Sequence, residues 1–263
     1  MNKNTIAEKI RTKKAIISDM DGVIYHGNKL LPGVLEFVEW LKKENKQFLF
    51  LTNSSERTPT ELKEKLNRLG IEVPKTVFYT SALATAQFLN AQKPKGTAFI
   101  IGEAGLINAM YNVGYTMNNV DPDYVVVGET GSYSYEKIEK AINLVLKGAK
   151  LIGANPDMTG PGENGIVPAT KALIAPIELA TGKSAYFVGK PNPLMMRIAL
   201  KRLGISREES IIIGDRMDTD IIAGIESEID TCLVMSGISD NNTVDEFPYK
   251  PHYILDGVGD ILL

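Results

Sequence analysis

Two carboxylates one residue apart, Asp19 and Asp21, close the apolar run Ala15-Ile16-Ile17 and are followed at once by Gly22. In an extended backbone, residues i and i+2 point to the same side, so the two acids share a face if the strand persists. A break at Asp21-Gly22 instead turns the second acid back over the first. On either reading two carboxylates lie close together, and close like charges call for a cation, a shared proton or hydrogen-bond donors. The plain alternative is a strand end followed by a polar turn, where Asp and Gly are common. Three further strand ends carry polar groups: Thr52-Asn53-Ser54 after Phe48–Leu51, Lys190 after Ala185–Gly189, and Asp215 with Asp220 after Ser210–Gly214. Each taken separately reads equally as capping or turn chemistry, and Lys190 as a solvated lysine. Parallel strands, however, bring their carboxyl ends to one side of a sheet, where open α/β sheets bind ligands, so the four groups can converge.

The chemistry of such a set is specific. Carboxylates without a histidine or cysteine partner describe an oxygen-ligand site for Mg²⁺ or a similar hard cation. Thr, Asn and Lys offer donors and positive charge to phosphate oxygens. A carboxylate held by such a cation can act as nucleophile and form an acyl phosphate. The chain has one cysteine, Cys232, and two histidines, which excludes an intrachain disulfide and a multi-cysteine zinc site. Cys232 lies in the apolar run Thr231–Met235 and reads as a buried structural thiol. His26 lies in the stretch 23–33, which reads as a loop or small hairpin, and is taken as a polar loop residue rather than a general base, because nothing nearby would orient it.

The elements that must position these groups follow from hydrophobic period. Apolar positions 34, 35, 37, 38, 40 and 41 predict a helix over 34–43 with Trp40 in the core. A helix opens at Thr58-Pro59-Thr60-Glu61 and stops at Gly70, before a short strand at 77–80. From about Ser81 the rhythm restarts. Strands are expected near 98–102, 124–128 and 151–154, and helices over 82–90, 106–112, 135–147 and 169–180, the last kinked by Pro176. Asn155 to Gly165, rich in Gly, Pro and Asn, reads as a long loop. Further strands are expected at 185–191, 210–215, 231–235 and 253–255, with helices over 194–203 and from Asp220. This alternation predicts an α/β fold with a mainly parallel sheet covered on both faces. The middle block, about a hundred residues, is long enough to be a domain of its own.

The net charge of −3 gives no global signature for a nucleic acid polymer or an acidic membrane. No apolar run approaches the length of a transmembrane helix, and the basic first fourteen residues lack the apolar core of a secretory signal. A cytoplasmic protein with no membrane partner is the expectation.

The order of the motifs resembles the haloacid dehalogenase (HAD) superfamily. Its pattern is Asp-x-Asp-Gly, a Thr or Ser strand end, a Lys, and Gly-Asp-x-x-x-x-Asp. Here these are Asp19-Met20-Asp21-Gly22, Thr52-Asn53-Ser54, Lys190 and Gly214-Asp215-Arg216-Met217-Asp218-Thr219-Asp220. Val188-Gly189-Lys190-Pro191, Phe78-Tyr79-Thr80-Ser81, Val125–Glu129 and Asn155-Pro156-Asp157 look like the NagD-like, 4-nitrophenylphosphatase branch. The resemblance covers nearly the whole chain beyond the first dozen residues. It implies a Rossmann-like core, residues 1–80 and 184–263, with a C2-type α/β cap inserted at 81–183.

The resemblance also implies roles. Asp19 would attack phosphorus and become an aspartyl phosphate. Asp21 would protonate the leaving alcohol, activate water and give its backbone carbonyl to Mg²⁺. Asp19 and Asp215 would be side-chain ligands of the metal, with Asp220 behind them or linked through water. Thr52 and the amide of Asn53 would hold the phosphoryl oxygens, and Lys190 would neutralise charge on the nucleophile and the transferring group. The loop from Arg216 would line the site, with Asp218 solvated. In the cap, the loop from Asn155, with Asn155 and Asp157 nearest the chemistry, would read the leaving group, and cap closure would exclude water. The expected activity is Mg²⁺-dependent hydrolysis of small phosphomonoesters such as sugar phosphates or nucleoside monophosphates. A phosphotransferase on the same core and a catalytically silent metabolite-binding module are the alternatives. Asp21 argues against a dehalogenase, whose halide leaving group needs no proton. The polar loop residues Thr159, Glu163 and Asn164, with no aromatic among them, disfavour tight stacking of a base. A homodimer through the cap is expected by resemblance only.

Overall fold

The structure is a computed structural model and describes residues 2–162 and 165–262. The chain divides into two units. Met1–Thr52, Lys63–Tyr79 and Lys190–Leu263 form the first, and Asn53–Leu62 with Thr80–Gly189 the second.

The first unit is built on a six-stranded sheet. Its order is Tyr253–Leu255, Asp230–Val234, Ser210–Gly214, Ala15–Ser18, Gln47–Thr52 and Phe78–Thr80. Ala15–Ser18 runs parallel to both neighbours, with Ser18 opposite Ile213 on one side and Phe50 on the other. That register sets Asp19, Thr52 and Asp215 within two residues of one line across three adjacent strand ends. Ile16, Ile17, Phe50, Leu51 and Ile211 to Ile213 are fully enclosed. Strands covered on both faces need apolar residues at every position, which is why these segments read as unbroken apolar runs. Helices Lys3–Thr12 and Val34–Lys43 pack on the final turn Val258–Leu262. Trp40 departs from expectation. It is half-buried, one face stacked on Phe37 and the Lys46 ammonium over its ring, an arrangement that suits an amphipathic ring without full enclosure.

The second unit holds a five-stranded sheet in the order Tyr186–Phe187, Lys150–Gly153, Tyr124–Val127, Thr97–Ile101 and Thr116–Met117, with every pairing parallel. Val125, Val127, Leu144, Ile174 and Ile177 centre its core, and the helix Thr170–Thr181 accommodates Pro176 in its interior. Three features differ from the sequence expectation. The strand expected at 185–191 is only Tyr186–Phe187 and joins this second sheet, so Lys190 does not end a strand of the first sheet. The second unit takes in Asn53–Leu62 and runs to Gly189, against expected borders at 81 and 183. Part of the loop expected over 155–165 is an antiparallel ribbon, Thr159–Gly162 against Gly165–Pro168. Its Gly-Pro-Gly content and exposed positions leave no alternation to signal a strand. Glu163 and Asn164 lie outside the described residues. Among the described residues no helix is long and apolar enough to cross a membrane.

Candidate active site

In the first unit the strand carrying Asp19 stops at Ser18. The chain then turns back on itself: Ile24 and Tyr25 donate their N–H groups to Met20 O, and Gly22 N–H to Tyr25 O. The turn decides between the two backbone readings of Asp19 and Asp21, because the strand that would align them on one face has ended. Asp21 is half-buried, its Oδ1 3.7 Å from His26 Nδ1. His26 therefore has a carboxylate beside it, contrary to expectation, although the histidine itself is exposed.

Asp19, Asp215 and Asp220 each offer a carboxylate oxygen, and the three oxygens lie within 4.8 Å of one another. Asp19 is fixed by its N–H donating to Ile213 O at 2.8 Å. Asp215 follows the neighbouring strand and accepts from Ile238 N–H at 2.8 Å. Glycine walls it in. A Cβ on Gly22, whose φ is +81°, would meet Asp215 Oδ2 at 2.4 Å, and one on Gly237 would meet it at 2.0 Å. Asp220 reaches back through the π turn Met217–Ile221, and its Oδ2 accepts from Arg216 N–H at 3.1 Å. A Cβ on Gly214 would lie 2.2 Å from the Asp220 Cβ, so the glycine of Gly-Asp-x-x-x-x-Asp is what lets the second acid return over the first.

Lys190 Nζ sits between two of these acids, 2.5 Å from Asp19 Oδ1 and 2.6 Å from Asp220 Oδ1, and is almost wholly enclosed. Burial pulls its ammonium down, but the Asp19 and Asp220 carboxylates outweigh that and hold it above the ordinary lysine value. Burial pushes the Asp19 carboxyl well above the usual range against the pull of Lys190, and Asp220 and Asp215 add to the rise. Burial and the neighbouring Asp220 push Asp215 up to about 6, against the Ile238 amide and Lys190. Ionised together, three carboxylates facing one ammonium leave two negative charges in excess, and burial together with that excess pushes Asp19 and Asp215 up. An all-oxygen donor set with that excess fits a divalent hard cation.

Thr52 ends the strand beside Asp19 and is half-buried. The Arg216 guanidinium forks onto Asp218, with Nε at 3.0 Å and Nη2 at 2.8 Å. In the second unit, Asn53, Asn155 and Asp157 come together. Asn53 Nδ2 donates to Asp157 Oδ2 at 3.0 Å, and Asn155 Nδ2 to Asn53 O at 2.6 Å. Sequence reasoning missed the Ser236–Ile238 turn, which supplies the Asp215 contact and a hydroxyl bond from Ser236 to Gly22 O at 2.7 Å. It also missed Ser55, Ser81 and Glu129 as partners of the Asn53 group.

A family model described as haloacid dehalogenase-like hydrolase matches residues 16–116, and a second HAD-hydrolase-like model matches residues 187–261. The chain is 44% identical over 245 residues to a dihydroxyacetone phosphatase of Corynebacterium glutamicum, covering 93% of this chain and 89% of that protein. It is 40% identical over 250 residues to the ribonucleotide monophosphatase NagD of Escherichia coli, covering 95% and 98%. The solved NagD structure superposes with a TM-score of 0.89 over 94% of this chain and 98% of that one. A 4-nitrophenylphosphatase from Thermotoga maritima superposes with a TM-score of 0.92 at 32% identity, over 96% and 97%.

Proposed function

Because the chain belongs to the haloacid dehalogenase-like hydrolases, we propose that it is a Mg²⁺-dependent phosphatase of small phosphomonoesters that works through an aspartyl phosphate on Asp19. The observation that carries this reading is the buried group Asp19, Asp215 and Asp220 with Lys190 held between two of the acids. The names of the relatives supply the substrate class. One is a dihydroxyacetone phosphatase and another a ribonucleotide monophosphatase, which have in common a small organic phosphate rather than a particular alcohol.

An Asp19 carboxylate oxygen forms a bond to phosphorus as the bond to the alcohol oxygen breaks, and Asp21 gives that oxygen a proton. The Asp21 carboxylate then takes a proton from water as the water oxygen bonds to phosphorus. The Asp19–phosphorus bond breaks, and phosphate leaves with both acids restored. Asp21 suits proton exchange, since it is half-buried while Asp19 stands deeper beside Lys190. The Lys190 ammonium balances charge on the nucleophile and on the transferring group. Thr52 and the Asn53 amide hold the phosphoryl oxygens, and Arg216 lines the site while forked onto Asp218. Asp19, Asp215 and the backbone carbonyl of Asp21 would hold Mg²⁺. Asp220 supports them, since its two oxygens already serve Lys190 and the Arg216 amide. Mg²⁺ supplies neutralisation of the phosphoryl charge when bound. In the second unit, a C2-type cap in this reading, Asn155 and Asp157 read the leaving group.

The test is phosphate release from a panel of small phosphomonoesters with Mg²⁺ and with EDTA. Release in Mg²⁺ that EDTA abolishes is expected. No release from any member by the folded, Mg²⁺-supplied protein would contradict the reading.

A further inference from the structure

A group of buried polar residues in the second unit is more tightly organised than its sequence spacing suggests. Glu129 lies two residues beyond the strand Tyr124–Val127. One oxygen of its carboxylate, Oε2, accepts the Ser55 N–H at 3.0 Å and the Ser55 hydroxyl. The other, Oε1, accepts Asn155 Nδ2 at 2.6 Å. The Ser55 hydroxyl oxygen accepts Glu129 N–H at 3.1 Å, so the two residues are joined in both directions. The second hydrogen of Asn155 Nδ2 goes to Asn53 O, which also accepts the Ser81 hydroxyl at 2.5 Å. Asn155 Oδ1 accepts Asp157 N–H at 3.1 Å, and Asp157 Oδ2 takes Asn53 Nδ2. Ser55, Ser81 and Asn155 are fully enclosed, and Asn53 nearly so. There is no slack around them. A Cβ on Gly189 would stand 2.7 Å from Asn53 Oδ1 and 2.8 Å from Asn155 Cβ.

The Glu129 carboxylate, like that of Asp157, only accepts. Both hydrogens of the Asn155 amide have an acceptor, so its orientation is set by Glu129 on one side and Asn53 O on the other. Through Ser55, the same carboxylate holds the chain two residues after Asn53. A fully paired buried network of this kind rigidifies its members, whereas one donor set against another donor breaks it.

We propose that Glu129 is a positioning residue that sets the arrangement of Asn53 and Asp157. This inference rests on the proposed function, in which those two residues belong to the substrate-binding set. Glu129 touches neither substrate nor metal in this account. Its effect is on binding, carried by Ser55 and Asn155.

Glu129→Gln keeps shape and size but turns an NH₂ group against the donors of either Ser55 or Asn155. The variant is expected to raise KM for 4-nitrophenyl phosphate, and the inhibition constant of inorganic phosphate, by about tenfold to a hundredfold, the range for losing a hydrogen bond to a charged group. Turnover at saturation should stay within about threefold, and the Mg²⁺ concentration for half-maximal rate should not move. Ser55→Ala, which removes one hydroxyl from the ring, should shift KM in the same direction by less. Amide hydrogen exchange should quicken at 53–57, at Asn155, at Asp157 and at residue 129, and nowhere else. A folded Glu129→Gln protein with wild-type KM and wild-type exchange at those residues would overturn the proposal. So would a parallel fall in turnover, Mg²⁺ dependence and thermal midpoint, which is general damage. If Glu129→Gln does not fold, Ser55→Ala is judged by the same criteria. Wild-type protein that releases no phosphate sinks the phosphatase reading instead. The exchange pattern and the binding of inorganic phosphate to the two variants then still judge the positioning role.

Discussion

The acid group of the first unit and the polar ring of the second are both buried, and they solve opposite problems. In the first, three carboxylates face a single ammonium, and the Asp19 and Asp215 carboxyls are pushed above their usual range. In the second, the hydrogens of Ser55, Ser81 and the Asn155 amide each meet an acceptor within the ring. Buried polar groups that satisfy one another stabilise a single arrangement. Buried charges left in excess destabilise the place that holds them unless something else enters. The difference teaches that burial alone does not mark a reactive site. Carboxylates crowded on one another do, as Asp19, Asp215 and Asp220 are, whereas the Glu129 carboxyl, also pushed up by burial, meets only donors and marks a part that holds.

Replacing the nucleophile candidate is the hardest blow to that contrast. Asp19→Asn should lower turnover of a phosphomonoester by on the order of a thousandfold or more and leave a folded protein. An assay retaining most of the activity would remove Asp19 from its role. Lys190→Met comes next, because it leaves Asp19 and Asp220 opposed without their shared cation. Breaking a buried pair in this way costs about 3–5 kcal/mol, read as a lower denaturant midpoint in EDTA. An unmoved midpoint would mean that the ammonium does not hold the two acids. The smallest effect belongs to Asp218, an acid in the same loop that is exposed and forked to Arg216. Asp218→Asn should change stability by less than about 0.5 kcal/mol and leave the Mg²⁺ dependence of the rate in place. Loss of that dependence would show that the boundary between buried and exposed acids has been drawn in the wrong place.

Much of the first unit was legible because its central strands are enclosed on both faces and its chemistry is carried by charged side chains at their ends. Lys190 shows the limit. Its convergence with the acids was visible while its setting was not, since Ala185–Val188 is apolar enough to be a strand of either sheet, and only the pairing of Tyr186 with Ile152 assigns it to the second. The Ile238 contact to Asp215 was invisible because a backbone N–H leaves no residue type to read. Glu129 stood in the open as one residue of a motif, but its partners are Ser55 and Asn155, far away in sequence. The ribbon of Thr159–Gly162 with Gly165–Pro168 was lost because glycine and proline suppress the alternation that signals a strand.

The central claim is that phosphate passes through Asp19. The direct measurement is mass spectrometry of the protein acid-quenched during turnover of a phosphomonoester in Mg²⁺. A phosphoryl group on the peptide that carries Asp19, absent from Asp19→Asn, is the predicted result. Steady phosphate release with no adduct on that peptide, or with an adduct on another residue, would contradict the account.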